Sequence, residues 1–254
     1  MPKKAKAAAD KTLVTFLLDR SGSMMSIRDA TIEAFNAYVD SLRDAPIDFT
    51  FLQFDSVSVD RVCVGIPVAN APKLDTHNFQ PRASTPLIDA CVKTIRAVDE
   101  ALAAVKGKRK VVVCFQTDGE ENCSTEHTWA ELNLLIKEKT LAGWQFNFMG
   151  AGIDAYQQAR QMGLSAGQTM SYNPTDLQAT RSAFVASAAA TQRFGSGMAA
   201  STNYLSTEKQ AAGDKYDPAL TPLSMVQPAN RQQSATRHAA RGASIVDKID
   251  LTTP

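Results

Sequence analysis

The sequence lacks the features that mark several classes of protein. Its 254 residues contain no run approaching the ~18 apolar residues that a membrane-spanning helix needs. The formal net charge is only +1, so no excess of one sign points to nucleic acid or to a membrane surface. The basic residues near the start, Lys3, Lys4 and Lys6, precede no apolar segment and form no secretory signal. We therefore expect a cytoplasmic protein that binds neither nucleic acid nor membrane.

Cysteine and histidine are also scarce. The four cysteines show no Cys-x-x-Cys spacing, and the three histidines lie far apart along the chain. These spacings do not match the usual zinc motifs. Because Cys63, Cys91 and Cys114 lie in apolar segments, we expect buried, reduced thiols rather than disulfides.

Apolar residues recur with two alternating periodicities along most of the chain. Strands are predicted over residues 12–18, 47–54, 58–64, 110–116, 144–149 and 169–172, and helices over 25–42, 87–105, 127–142, 154–162 and 175–194. This alternation predicts an α/β fold: a doubly wound, mostly parallel, six-stranded, Rossmann-like sheet with helices on both faces. The short gap at Asp55 and Ser56 requires an antiparallel hairpin, and hence one antiparallel edge strand.

The last 60 residues differ in composition from the rest. Residues 195–254 contain no Phe or Trp and are rich in small and polar residues. Such a segment buries too little apolar surface to offset its ordering entropy. We therefore predict a flexible N-terminus over residues 1–10, a domain over 11–194, and an extended or disordered tail over 195–254. Within this tail, residues 227–241 favour a short helix only weakly.

Two predicted strands end directly in loops that carry an aspartate. Asp19 follows the first strand and Asp118 follows the fourth. In open α/β sheets, ligands bind beyond the carboxyl ends of the strands, where the strand order reverses. If these strands are neighbours at that point, the two carboxylates face one crevice, and a divalent cation relieves their repulsion.

Hydroxyl groups near Asp19 favour a hard cation. Ser21 and Ser23 alternate with Asp19 in the run Asp-Arg-Ser-Gly-Ser, and Gly22 permits the turn. Mg²⁺ prefers oxygen ligands and retains several waters, whereas zinc and copper favour softer ligands. The pattern predicts a Mg²⁺ site, with Mn²⁺ or Ca²⁺ as possible substitutes.

The same run resembles the Asp-x-Ser-x-Ser motif of von Willebrand factor type A domains. In that family a metal-ion-dependent adhesion site is completed by a Thr before the third helix and an Asp after the fourth strand. Thr85 in Ala-Ser-Thr-Pro-Leu and Asp118 in Gln-Thr-Asp-Gly-Glu match both positions. The resemblance covers roughly residues 11–194, and all five matched positions carry the expected residue.

The resemblance implies a binding protein rather than an enzyme. Asp19, Ser21, Ser23, Thr85 and Asp118 would hold the metal directly or through water. A partner would supply an Asp or Glu carboxylate to its open position. We expect the partner to contact a rim formed by Arg20, Met24, Ser84 and Glu120. The lack of a signal sequence favours the intracellular bacterial or phage type, with a virion-associated location as one possibility.

Other interpretations stay open at this stage. The Asp19 and Asp118 segments are also compatible with plain turns, and Thr85 with a helix cap before Pro86. A structural component of a virion or other assembly, docked through the C-terminal tail, is an alternative function. A metal-dependent phosphohydrolase of the haloacid dehalogenase type fits less well, because Ser21 occupies the position of its second aspartate. The loop residues Glu120, Glu121 and Asn122 are expected to be solvated.

Overall fold

A computed structural model describes residues 11–104, 107 and 109–216 of the chain. The strands are β1 (Thr12–Asp19), β2 (Ile47–Phe54), β3 (Val59–Pro67), β4 (Val111–Thr117), β5 (Gln145–Ala151) and β6 (Thr169–Tyr172). The α-helices are α1 (Arg28–Leu42), α2 (Leu87–Ala103), α3 (Trp129–Leu141), α4 (Ala155–Met162), α5 (Leu177–Gly195) and α6 (Ser206–Ala211). Short 3₁₀ segments cover Gly22–Ile27, Val68–Asn70 and Ala166–Gln168.

The six strands form one sheet in the order β3-β2-β1-β4-β5-β6. β3 runs antiparallel to β2, and every other neighbouring pair is parallel. This confirms the predicted doubly wound sheet with one antiparallel edge strand. The chain leaves β1 toward β2 on one side and later returns to β4 on the other. The strand order therefore reverses between β1 and β4, where ligand sites of such sheets form.

Helices cover both faces of the sheet, so its central strands are buried on both sides. In β1, Phe16 and Leu18 face a core with α1 and α5, whereas Leu17 faces a second core with α2, α3 and α4. β4 alternates in the same way, with Cys114 on the first side and Phe115 on the second. Burial on both faces explains why both strands are almost continuously apolar.

Phe16 lies at the centre of the larger core. Its ring centroid is 5.4 Å from that of Phe35 and 4.8 Å from that of Tyr38, both in α1. It is also 5.9 Å from the ring of Phe184 in α5 and 6.5 Å from that of Phe51 in β2. These ring contacts join the central strand to two helices and a neighbouring strand.

The prediction that the tail begins at residue 195 is wrong for residues 196–216. Thr202, Tyr204 and Ala212 are buried. The Tyr204 backbone N–H donates to the Gly167 carbonyl at 2.9 Å, and Asn147 Nδ2 donates to the Thr202 carbonyl at 3.1 Å. A few buried residues thus fix this segment on the domain, although its average composition is polar.

We expect removal of this segment to destabilise the domain. A chain ending at residue 196 should unfold at lower urea concentration than one ending at residue 216, with a loss of about 2 kcal/mol or more, because the Tyr204 pocket is left open. Within the full chain, Tyr204→Ala should be destabilising. The control Leu205→Ala should change little, because Leu205 is half-exposed. Equal unfolding midpoints for the two truncated chains would contradict the packing described here.

Several sequence-based predictions lie outside the described residues. These are the flexible N-terminus over residues 1–10, the tail beyond residue 216, and the weak helix over 227–241. Among the residues that are described, no helix has both the length and the apolar character needed to cross a membrane. Cys91 and Cys114 are buried as predicted, whereas Cys63 is only partly buried.

Candidate metal site

Asp19 ends β1 with its side chain buried at the reversal point of the sheet. The register pairs Leu18 with Gln116 of β4, so the next residues, Asp19 and Thr117, lie side by side. Thr117 Oγ1 donates to Asp19 Oδ2 at 2.5 Å, and the Ser21 backbone N–H donates to Asp19 Oδ1 at 2.6 Å. The carboxylate is therefore held in one orientation by its own loop and by the neighbouring strand.

Ser23 connects the first loop to the loop after β4. Its hydroxyl donates to Asp118 Oδ1 at 2.7 Å and lies 3.1 Å from the hydroxyl of Ser21. Asp118 follows the last residue of β4 and is partly buried. Four of the five predicted site residues are thus linked by hydrogen bonds: Asp19, Ser21, Ser23 and Asp118.

Thr85, the fifth predicted residue, reaches the same place from a different loop. A Cβ atom built on Gly119 would lie 3.0 Å from Thr85 Oγ1 and 3.6 Å from Ser23 Oγ. The two hydroxyls therefore approach the backbone just after Asp118 from two directions. Any side chain at position 119 would intrude on them, which explains why glycine follows Asp118.

The Thr85 loop is tied to the Asp118 loop through Asn122. The Thr85 backbone N–H donates to Asn122 Oδ1 at 3.0 Å, and the Asn122 N–H donates to the Thr85 carbonyl at 3.2 Å. Glu121 accepts a hydrogen bond from the Ile88 N–H at the start of α2 at 2.9 Å. The prediction that Glu121 and Asn122 belong to a merely solvated loop is therefore wrong, because their side-chain oxygens bind backbone N–H groups of the Thr85–α2 segment.

The first loop also packs closely on the segment before Thr85. The Gly22 N–H donates to the Ala83 carbonyl at 3.0 Å, and a Cβ on Gly22 would lie 3.2 Å from that oxygen. Ala83 has a φ of 60°, in the left-handed region that non-glycine residues rarely adopt. This close approach and unusual backbone bring the Ser84–Thr85 segment to the first loop.

Burial perturbs both carboxyl groups. Loss of solvent raises the pKa of Asp19 to about 6, although hydrogen bonds from Thr117 and Ser21 act in the opposite direction. Burial also raises the pKa of Asp118. A carboxylate whose charge is disfavoured by its surroundings is stabilised by a nearby cation.

The chemistry of the five predicted ligands decides which cation they suit. They offer two carboxylates and three hydroxyls, with no sulfur or imidazole. The described part of the chain has no cluster of three or more His, Cys, Asp or Glu side chains that would suit a metal by themselves. Oxygen donors of this kind suit Mg²⁺ or Mn²⁺, which keep waters in their coordination shell, and not a soft metal.

The prediction that Arg20 belongs to an exposed rim is wrong. Its side chain is largely buried, and Nη2 lies 2.8 Å from both Asp55 Oδ2 and Asp60 Oδ2. Arg82 also contacts Asp55, through Nε at 2.9 Å. Asp55 further accepts backbone hydrogen bonds within the β2–β3 turn, so its carboxylate draws Arg20 inward and joins the first loop to the hairpin.

The prediction that Met24 belongs to this rim is also wrong. Met24 is fully buried in the α1-side core, whereas Met25 is 50% exposed. The 3₁₀ turn that precedes α1 directs Met24 inward. Ser84 and Glu120, the other two predicted rim residues, are exposed. The structure thus leaves Ser84 and Glu120 on the surface and adds Met25 as an exposed apolar neighbour of the first loop.

This arrangement defines a class of protein: a doubly wound α/β domain with a cluster of oxygen donors where the strand order reverses. Comparison with solved structures specifies the fold further as von Willebrand factor type A-like. No protein-family model matches the sequence, and no curated protein matches it.

Three solved structures illustrate the similarity. A von Willebrand factor type A protein from Catenulispora acidiphila has a TM-score of 0.54 and 19% identity, over 72% of this chain and 43% of that chain. The pilus adhesin SpaC from Lactobacillus rhamnosus GG has a TM-score of 0.55 and 14% identity, over 73% of this chain and 30% of that one. Manganese-loaded TRAP protein from Plasmodium vivax has a TM-score of 0.50 and 15% identity, over 70% of this chain and 74% of that chain. This chain spans less than half the length of the first two.

Proposed function

We propose that this chain is a metal-dependent protein-binding module. Asp19, Ser21, Ser23, Thr85 and Asp118 would hold a Mg²⁺ ion, with Mn²⁺ or Ca²⁺ as substitutes. The bound ion would supply positive charge that accepts an Asp or Glu carboxylate from a partner protein. The exposed residues Ser84 and Glu120 would lie at the edge of that contact.

The observation that carries this proposal is the convergence of three separate loops on one group of oxygens. Ser23 contacts both Ser21 and Asp118, and Thr85 approaches the same point beside Gly119. A simple set of turns would not require residues so distant in sequence to meet there. The manganese in the similarly folded TRAP protein supports a divalent metal at this kind of fold.

The local charges also favour an anionic partner. Arg20 and Arg82 are occupied by Asp55, so neither cation is committed to Asp19 or Asp118. A divalent ion there would be countered by no more than two protein carboxylates, both with pKa values raised by burial. The hydroxyl ligands add no charge, so the two carboxylates can at most neutralise the ion, and its open coordination position would accept an outside carboxylate as a ligand.

We further propose binding rather than catalysis. A haloacid dehalogenase-type reaction needs a second Asp where Ser21 stands. Among the described residues, the imidazole of His77 lies 3.7 Å from Asp75 and that of His127 lies 3.8 Å from Glu131, and neither ring hydrogen-bonds to Ser21 or Ser23. A serine nucleophile at Ser21 or Ser23 would need such a base beside it.

Metal binding can be tested without knowing the partner. Water-proton relaxation should show enhanced relaxation when Mn²⁺ is added to the full chain, and excess Mg²⁺ should reverse it. Ser23→Ala is expected to weaken Mn²⁺ binding by about tenfold or more, because a ligand that also orients Asp118 is lost. The matched control Ser41→Ala, at the far end of α1, should bind as the wild type does.

Capture experiments then test the role of the metal. A partner retained by the immobilised chain in Mg²⁺ should be released by EDTA and should not be retained by Ser23→Ala. Retention that is unaffected by EDTA would place the interface elsewhere. Absence of Mn²⁺ binding by the wild type would overturn the metal site itself.

A further inference from the structure

A groove between the β3 edge of the sheet and helix α2 combines an apolar floor with a cationic rim. It encloses about 390 Å³ and shares no lining residue with the candidate metal site. Its lining includes Leu52, Val59, Arg61, Lys93, Thr94 and Arg96. Leu52 and Val59 belong to the apolar cluster beneath α2, so the floor is continuous with the core.

The rim carries positive charge that its neighbours leave largely unpaired. Within the described part of the chain, Arg61 and Arg96 make neither a close ion pair nor a side-chain hydrogen bond, although the charge of Arg96 helps to lower the pKa of Glu131. Lys93 is paired with Glu126 at 2.7 Å. Glu100 is the one acidic residue of the lining, so it offsets only part of the charge of the two arginines. An anionic group would therefore be attracted to this groove.

Thr94 adds an unsatisfied polar group to the groove lining. Its side chain is 2% exposed, and its hydroxyl has no hydrogen-bond partner among the described residues. A helical threonine often donates to the carbonyl four residues before it, but Thr94 does not. An unpaired buried hydroxyl costs free energy, so a ligand acceptor that displaces the atoms covering Thr94 would find a donor here.

We propose that this groove binds an extended acidic segment of a partner protein, in which Asp or Glu alternates with an apolar residue. The apolar side chain would lie on Leu52 and Val59, and the carboxylates would face Arg61 and Arg96. The floor favours a peptide over a nucleic acid, because a phosphate backbone offers no apolar group to Leu52 and Val59. This interaction is independent of the metal site.

A fluorescein-labelled peptide, Gly-Glu-Leu-Glu-Leu-Gly, provides the probe. Fluorescence anisotropy with the full chain should show saturable binding in Mg²⁺ and equally in EDTA. Arg61→Gln and Arg96→Gln should each weaken binding by up to about fivefold, the upper end of the range for exposed charge pairs. The control Arg160→Gln removes an exposed charge from α4 and should bind as the wild type does. A peptide with Lys in place of Glu should not bind.

Three results would overturn the proposal. One is the absence of saturable binding of the acidic peptide by the wild type. Another is unchanged affinity in the Arg61→Gln/Arg96→Gln double variant, with circular dichroism showing a wild-type fold. The third is loss of binding in EDTA, which would assign the peptide to the metal face. A finding that the wild type binds no Mn²⁺ would leave the conclusion about peptide binding in the groove unaffected.

Discussion

Replacing Asp19 by Asn is expected to stabilise the metal-free protein at pH 7 by about 3 kcal/mol and to abolish its stabilisation by Mg²⁺. The first effect arises because burial raises the pKa of Asp19 from 3.8 to about 6, so the folded protein must hold a disfavoured charge at pH 7. Asn can keep both contacts. Its oxygen can accept from the Ser21 N–H, and its amide can donate to Thr117 Oγ1, which reverses the present bond and leaves the Thr117 hydroxyl to donate to the Gly119 carbonyl. The second effect arises because a neutral amide is a poor Mg²⁺ ligand.

The raised pKa of Asp19 also predicts how the stability of the metal-free protein changes with pH. A carboxyl group with a raised folded-state pKa takes up its proton in the folded protein first. The metal-free wild type should therefore gain stability as pH falls from about 6 to about 4. The gain should be absent in Asp19→Asn, so the two proteins converge near pH 4.

Thermal and urea unfolding in EDTA and in excess Mg²⁺ would measure both effects. At a Mg²⁺ concentration of about 100 times its Kd, the wild type should gain about 2.7 kcal/mol. Asp44→Asn removes an exposed carboxylate and should behave as the wild type does under both conditions. A Mg²⁺-dependent rise in Tm that persists in Asp19→Asn would contradict the assigned role of this carboxylate.

Phe16→Ala is expected to be among the most destabilising single substitutions in the domain, with a loss of about 3–5 kcal/mol. The ring is fully buried in the central strand and contacts Phe35, Tyr38 and Phe184. Its removal opens a cavity between the sheet and two helices that cannot close without moving all of them. Urea unfolding monitored by circular dichroism would measure the loss.

Leu141→Ala is the matched control for this substitution. Leu141 is also a large apolar residue, but it is 91% exposed at the end of α3. Its truncation should change the free energy of unfolding by no more than about 0.5 kcal/mol. A loss below about 2 kcal/mol for Phe16→Ala would show that the core can collapse around the missing ring.

The sheet was predictable from the sequence because its central strands are buried on both faces. Segments such as Thr12–Asp19 and Val111–Thr117 are then apolar along most of their length. The hairpin at Asp55 was predictable because a short connection permits only antiparallel pairing. In each case a local pattern is sufficient to determine the element.

The hydrogen bonds that hold the candidate site residues in place were not predictable in the same way. Thr117 contacts Asp19 because of the register between β1 and β4, which no local pattern specifies. Asn122 likewise owes its role to a loop that is distant in sequence. One signal was available for Thr117: it immediately precedes Asp118 at the end of a buried strand.

Side-chain direction was the harder property to predict at the loop after β1. Met24 and Met25 are adjacent and chemically identical, yet only Met24 is buried, because the 3₁₀ turn sets which residue faces inward. Arg20 is buried because Asp55 and Asp60, from another part of the chain, lie beside it. The segment around Tyr204 was missed for the same reason, since a few buried residues hold it on the domain although its composition is mostly polar.

The two hydrogen bonds between Thr85 and Asn122, one of which is accepted by the Asn122 side chain, have a thermodynamic consequence. They leave little freedom for Thr85 to shift without moving the loop that carries Asp118. Under the proposed function, a partner that shifts Thr85 therefore changes both loops around the ion in a single step. Metal and partner would then enhance each other's affinity by the same factor, as reciprocal linkage requires. Asn122→Ala should reduce that factor toward one while leaving all five proposed ligands in the chain.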